Sequence, residues 1–206
     1  ETIMSFLRER AYLLAGLFVH FRQLNSGIEK HFYFEGGIKS LVTHLNFHKK
    51  PLHEVIYCAG EYREAGFPVG VEAAIQYNES FSENLMSFAN VINTPDGGAH
   101  VTGFRMALSK AIKDYAVKNG LLKEDKDGIT GEDLREGLTA VVFVKMSASQ
   151  IQFESQTKAK LNNIEAQSAV YQVLKSKLDE YFEEHPSETR RIVEKVLLSA
   201  RARMAA

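Results

Sequence analysis

Residues 137–146 read GLTAVVFVKM, and this stretch decides the fold. It is β-branched and aromatic, too short for a typical helix, and opened by a glycine. Its apolar residues run on instead of alternating. A strand covered on one face alternates, whereas a continuous run marks a strand covered on both faces, at the centre of a layered sheet. The stretch 69–77 (VGVEAAIQY) is the contrast. There Val69, Val71, Ala73, Ile75 and Tyr77 alternate with Gly70, Glu72, Ala74 and Gln76, the period of a half-buried strand.

Working outward, Val55–Tyr57 and Leu85–Asn93 are further strand candidates. Thr94-Pro95-Asp96-Gly97-Gly98 is a turn, because proline pre-sets φ and the glycines supply left-handed geometry. Phe104, Leu108, Ala111, Ile112 and Tyr115 then recur at helical spacing up to Asn119-Gly120. Leu121–Glu136 reads as polar loop, and so does Ser147–Asn163. From Ile164 the chain is helical. Val170, Leu174, Leu178, Tyr181 and Phe182 form one stripe, Pro186 breaks it, and Ile192, Val193, Val196 and Leu197 form another. Toward the other end, residues 1–15 read as a helix stopped by Gly16. Leu17–Gln23 and Ile28–Phe34 make a hairpin about Leu24-Asn25-Ser26-Gly27, and Ile38–Asn46 reads as a short helix. Strands interleaved with helices and a helical C-terminus give an α/β or α+β class.

Composition bounds the function. The chain has 206 residues, 45% hydrophobic and 25% charged, with a formal net charge of −1, enough for a real core without metal or disulfide support. Near-neutral charge is not that of a polyanion binder, although a local basic face is compatible with it. No apolar run approaches the ~20 residues that span a bilayer. Cys58, the single cysteine, forbids an internal disulfide and suits a reducing cytosol, and no secretory pattern precedes it. The expected location is cytoplasmic. A start at Glu1 reads as a fragment of something longer.

Few motifs carry chemistry. There is no Walker loop, GxGxxG or GxSxG. His44 and His48 share a helical spacing, with His53 near, but the neighbour of the first is Leu45 where a zinc protease needs glutamate, so they read as exposed helix histidines. Asp125-Lys126-Asp127-Gly128 begins like a calcium loop, yet its glycine comes two positions early, and it reads as surface loop. Cys58 reads as a buried, inert thiol. No metal-ligand set is expected. The unusual segment is FESQTKAK (153–160), between the central strand and a helix. In an extended loop Gln156 and Lys158 would point the same way. A lysine ammonium suits a terminal phosphate and a neighbouring amide adds a neutral hydrogen bond; a solvated loop with capping polar residues is the plainer alternative.

Several segments together resemble a known family. LRERAYLLAG (7–16), FYFEGGI (32–38), QYNESFSENLMSFANVINTPDGGAH (76–100), DYAVKNGLLKE (114–124), GEDLREGLTAVV (131–142) and FESQTKAKLNN (153–163) look like the B subunit of bacterial DNA gyrase, a type IIA topoisomerase, and within it the transducer domain. The match runs over nearly the whole chain, in order. The B subunit of topoisomerase IV, a decatenase, shares most of these segments. The resemblance implies a mixed sheet with helices on one side, a left-handed βαβ crossover as in GHMP kinases, against the usual hand, and a long C-terminal helix. It implies that residues 1–16 end a preceding GHKL ATPase domain, that 17–163 are the transducer core and that 164–206 are a C-terminal helical segment. By the family's Gln-Thr-Lys motif, Lys158 would contact the γ-phosphate of ATP and Gln156 would assist. The chain departs from many members at Ser155 and Asn162, where glycine is usual.

As partners the resemblance implies the gyrase A subunit, double-stranded DNA and a second copy of the B subunit. Mg would act in the full-length enzyme without ligands from this fragment, which alone would be inactive. Arg105, Lys110, Lys113, Lys118, Arg190, Arg191, Arg201 and Arg203 are the basic residues that could face DNA, or simply solvent. Two other classes sit on such a fold. One is a stand-alone RNA- or protein-binding domain using the aromatic hairpin Phe18, Phe21, Phe32, Tyr33 and Phe34, which core packing also explains. The other is a small-molecule kinase, for which a phosphate loop is missing.

Overall fold

A computed structural model describes residues 3–63, 66–122 and 128–205. The element order is α1 (Ile3–Leu13), β1 (Val19–Gln23), β2 (Ile28–Phe32), α2 (Ile38–Leu45), β3 (Ile56–Tyr62), β4 (Val69–Tyr77), β5 (Asn84–Ala89), β6 (Ile92–Asn93), α3 (Ala99–Lys118), β7 (Leu138–Lys145), α4 (Ile164–Glu184) and α5 (Pro186–Ala205). Five strands form one sheet in the order β3-β4-β7-β5-β6, and β1-β2 stand apart as a two-stranded sheet. The sheet is mixed, because β7 runs antiparallel to β4 and parallel to β5. The β5–α3–β7 connection is the crossover for which the resemblance implies the left hand.

The GLTAVVFVKM run is continuous because both its faces are covered. Leu138, Ala140, Val142 and Val144 join the larger core with α3, α4 and α5. Val141 and Phe143 join a smaller core on the opposite face with Tyr12 and Leu13 of α1 and Ile38, Leu41 and Val42 of α2. The three long helices share one side, as expected, and the two short ones cover part of the other. That second cover is incomplete, which explains the alternation in β4. Val69, Val71, Ala73, Ile75 and Tyr77 face the large core, while Glu72 binds Lys145 and the Tyr57 hydroxyl on the uncovered part. Gly103 lets α3 and α4 meet closely, since a Cβ there would lie 2.3 Å from the Gln167 carbonyl oxygen.

Three expectations are corrected. Leu85–Asn93 is not one strand, because Asn90 takes a left-handed φ of 52° and turns β5 into β6. Its side-chain amide donates to Met146 O (3.1 Å) and its side-chain oxygen accepts from Met146 N–H (3.0 Å); asparagine tolerates that region where most residues do not. The segment 121–136 is not simply polar loop, since Leu122, Ile129 and Leu134 are buried in the core. The long C-terminal helix is two helices, α4 and α5, divided at His185-Pro186. Asp125-Lys126-Asp127 lies outside the described residues. No described helix is long and apolar enough to cross a membrane.

Candidate functional site

The segment leaving β7 forms a finger that turns back into α4. Its stem is two-stranded: Asn162 N–H donates to Gln152 O (2.9 Å), and Glu154 N–H donates to Lys160 O (3.0 Å). Its tip is a tight turn in which Lys158 N–H donates to Ser155 O (3.1 Å), and Lys158 has a left-handed φ of 58°. The tip is therefore not the extended run that places Gln156 and Lys158 by period two. The turn brings both into one exposed apex by a different route. Ser155 needs no left-handed backbone; its hydroxyl lies 2.7 Å from that of Thr157, and either can donate.

A brace holds the stem. Leu161 is 1% exposed and pairs on two sides, with Phe153 across the stem and with Gly98 beside it. Leu161 N–H donates to Gly97 O (3.0 Å), Ala99 N–H donates to Leu161 O (3.0 Å), and Asp96 N–H donates to Ala159 O (2.9 Å). Gly98 has φ 127°, and a Cβ there would lie 2.1 Å from Leu161 O, so the backbones touch where a side chain would stand. The TPDGG turn is thus a clamp for the finger as well as a helix start. Asn163 completes the stem, accepting from Gln152 N–H (2.6 Å) and donating to Gln150 O (2.9 Å), one residue before α4.

His100 lies beneath the clamp in the first turn of α3. His100 Nε2 lies 3.1 Å from the Thr94 hydroxyl oxygen, which also lies within hydrogen-bond reach of Ser87 O (2.9 Å). Nδ1 is buried without a partner. Burial pushes the imidazole down to about 4, which keeps it neutral at physiological pH.

The two lysines of the motif differ. Lys160 pairs with Glu154 at 3.0 Å. Lys158 has no carboxylate partner among the described residues, and its ammonium stands 5.9 Å from the Phe153 ring centroid. A cleft of about 660 Å³ lies beside the stem, lined by Glu83, Asp96, Gly98, Arg105, Lys160 and Asn162 among others, so it flanks the base of the finger and not its tip.

Most of the basic candidates are already partnered. Arg105 meets Glu83 (3.3 Å), Lys110 meets Asp114 (2.7 Å), Lys118 meets Glu183 (2.5 Å), and Arg190 meets Glu194 (2.9 Å). Arg191 donates to Leu52 O (3.1 Å), and Arg203 holds the buried Asp133 carboxylate (2.9 Å). Arg201 is exposed. His53 is buried and accepts from Tyr77 N–H (2.9 Å), away from metal chemistry, while His48 packs edge-on against Phe47. Burial pushes the Cys58 thiol up to about 12, as an inert thiol requires. In the aromatic hairpin Phe32 is buried and Phe34 stacks on Tyr12, but Phe18 and Tyr33 are exposed.

The same architecture occurs in known proteins. The family model for DNA gyrase B matches residues 37–206. The chain belongs to the DNA gyrase B family. It is 43% identical, over its whole length, to the DNA gyrase B protein of Halalkalibacterium halodurans, of which it covers 32%. It resembles the 43K ATPase domain of Thermus thermophilus gyrase B, solved with an aminocoumarin, with a TM-score of 0.87 and 39% identity, covering 98% of this chain and 53% of that one. The topoisomerase IV ATP-binding domain of Francisella tularensis is similar at a TM-score of 0.80 and 28% identity, over 98% of this chain and 53% of that one. The chain spans about a third of the length of the curated gyrase B relative it matches.

Sequence reasoning singled out the segment 153–160 and, within it, Gln156 and Lys158. It missed the clamp, whose signal was the glycine pair after Pro95, and it missed His100.

Proposed function

We propose that this chain is the transducer region of gyrase B, which passes the state of a bound ATP to the helices that move DNA. Residues 1–16 would close an upstream GHKL ATPase domain, 17–163 would be the transducer core and 164–206 its helical exit. The observation that carries this reading is an exposed Lys158, without a carboxylate partner among the described residues, on a finger whose stem is bonded to the start of α3 and runs into α4. A compact cation without an internal carboxylate suits the terminal phosphate of a nucleotide. Gln156, on the same apex, would add a neutral hydrogen bond. The rest of the nucleotide would be held by the upstream domain, with Mg bound there and not by this chain.

Phosphate loss would release the tip. The stem is stiff, since Leu161 is hydrogen-bonded on both sides, so motion at Lys158 would be delivered to the first turns of α3 and α4 as a rigid-body shift. In the complete cytoplasmic enzyme this would couple ATP hydrolysis to closure of a gyrase B dimer. With the gyrase A subunit it would drive passage of one duplex through another and negative supercoiling.

The test is Lys158→Ala in the longer protein that includes the upstream region. A lost charge-assisted hydrogen bond costs about 1.5–3 kcal/mol, roughly ten- to a hundredfold in nucleotide affinity, and more in turnover if the contact strengthens in the transition state. ATP hydrolysis should fall by at least that factor while the fold is retained, and the isolated chain should hydrolyse no ATP. Turnover near that of the unaltered protein refutes the assignment.

A further inference from the structure

The β1–β2 hairpin carries a constellation unrelated to the finger. His20 and His31 stand directly opposite each other in the antiparallel register, and Glu29 is two residues from His31 on the same face. One ligand atom from each of the three lies within 4.8 Å of the others. His20 Nε2 is 2.5 Å from Glu29 Oε1, and the His31 ring stacks on Phe18 with centroids 5.6 Å apart. Two imidazoles and a carboxylate are thus oriented before any ion arrives.

We propose that His20, Glu29 and His31 form a three-ligand zinc site on the polar face of this hairpin. Imidazole nitrogens with one carboxylate favour Zn²⁺ over Ca²⁺ or Mg²⁺. Bonds of about 2.0–2.2 Å in a tetrahedral site place the donors about 3.3 Å apart. The widest donor pair therefore needs to close by at most about 1.5 Å and the His20–Glu29 pair to open by about 0.8 Å, within reach of small χ rotations of exposed groups. The ion would replace the His20–Glu29 contact with a bond to each, and water would take the fourth position. The hairpin pairs only with itself among the described strands, and isolated two-stranded hairpins are marginal. A cross-strand ion would staple it. The site uses the face of His20, Glu29 and His31, and leaves the other face, with Val19, Phe21 and Phe32, for packing.

The test is titration of the untagged chain with Zn²⁺ alone, followed by calorimetry, together with amide exchange of residues 19–32. One Zn²⁺ should bind per chain with micromolar affinity, and the hairpin amides should slow on binding. His20→Gln and His31→Gln should each weaken binding by about tenfold or more, with unchanged circular dichroism, whereas His44→Gln should leave it unaltered. Absence of saturable binding overturns the proposal. So does binding that survives in the double variant His20→Gln/His31→Gln, because the ion would then sit elsewhere.

Discussion

Two parts of the molecule project from its body: the β1–β2 hairpin and the finger from Gln152 to Asn162. Both are short two-stranded stems closed by tight turns. The hairpin strands pair with no other described strand, and the turn glycine, Gly27, has open space where a Cβ would stand. The finger is bonded within its stem and again to the clamp at 96–99, where no Cβ fits at Gly98. The hairpin leans on α1 through the buried Phe32, beneath the Arg8 guanidinium, but shares no strand pairing with the body among the described residues. The finger is tied to a second loop by backbone hydrogen bonds at its base.

The comparison can be broken most sharply at the glycines. Gly98→Ala combines a backbone collision with a positive φ and should cost about 3 kcal/mol or more, read as a lower denaturation midpoint. Gly27→Ala, with strain alone, should cost about 1 kcal/mol. Equal losses would mean that the clamp is not rigid.

Acid offers a second test, of similar size. Burial holds the folded-state His100 at about 4, below its ordinary value near 6.5, so the unfolded chain binds more protons in between. Stability contributed by neutral His100 is present above about pH 6.5 and is lost as pH falls toward 4, in total about 3 kcal/mol. His53, also lowered chiefly by burial, adds to the same slope. His100→Gln should flatten part of this acid limb in urea titrations at several pH values. An unchanged slope would show that His100 does not stay neutral in the fold.

A smaller effect separates function from support. Lys158→Ala should leave the stability of this chain within about 0.5 kcal/mol, because Lys158 is exposed and has no ion-pair partner among the described residues. A large loss would make Lys158 structural. Amide exchange should also rank the two projections, with Leu161 and Asp96 protected far longer than the hairpin amides in the absence of zinc.

Much of this was legible. Continuous apolarity named β7 as central, and helical spacing outlined α3, α4 and α5, because burial on two faces or one leaves a periodic trace. Asn90 broke the reading of 85–93, since a single left-handed residue is invisible to periodicity. The cross-strand histidines escaped because metal spacing was sought along a helix, at His44 and His48. The Leu24–Gly27 turn fixes a register that pairs His20 with His31, and following it across the strands would have found them.

By itself the sequence outlined most of the elements, carried the family resemblance and drew attention to Gln156 and Lys158, all of them local or matched segment by segment. Tertiary structure alone decided what the stem of the finger rests on. Gly98 and Leu161 are distant along the chain, and nothing in either segment announces that their backbones will touch. Such contacts arise when separate elements pack, and the collision that forbids a side chain exists only once both are in place.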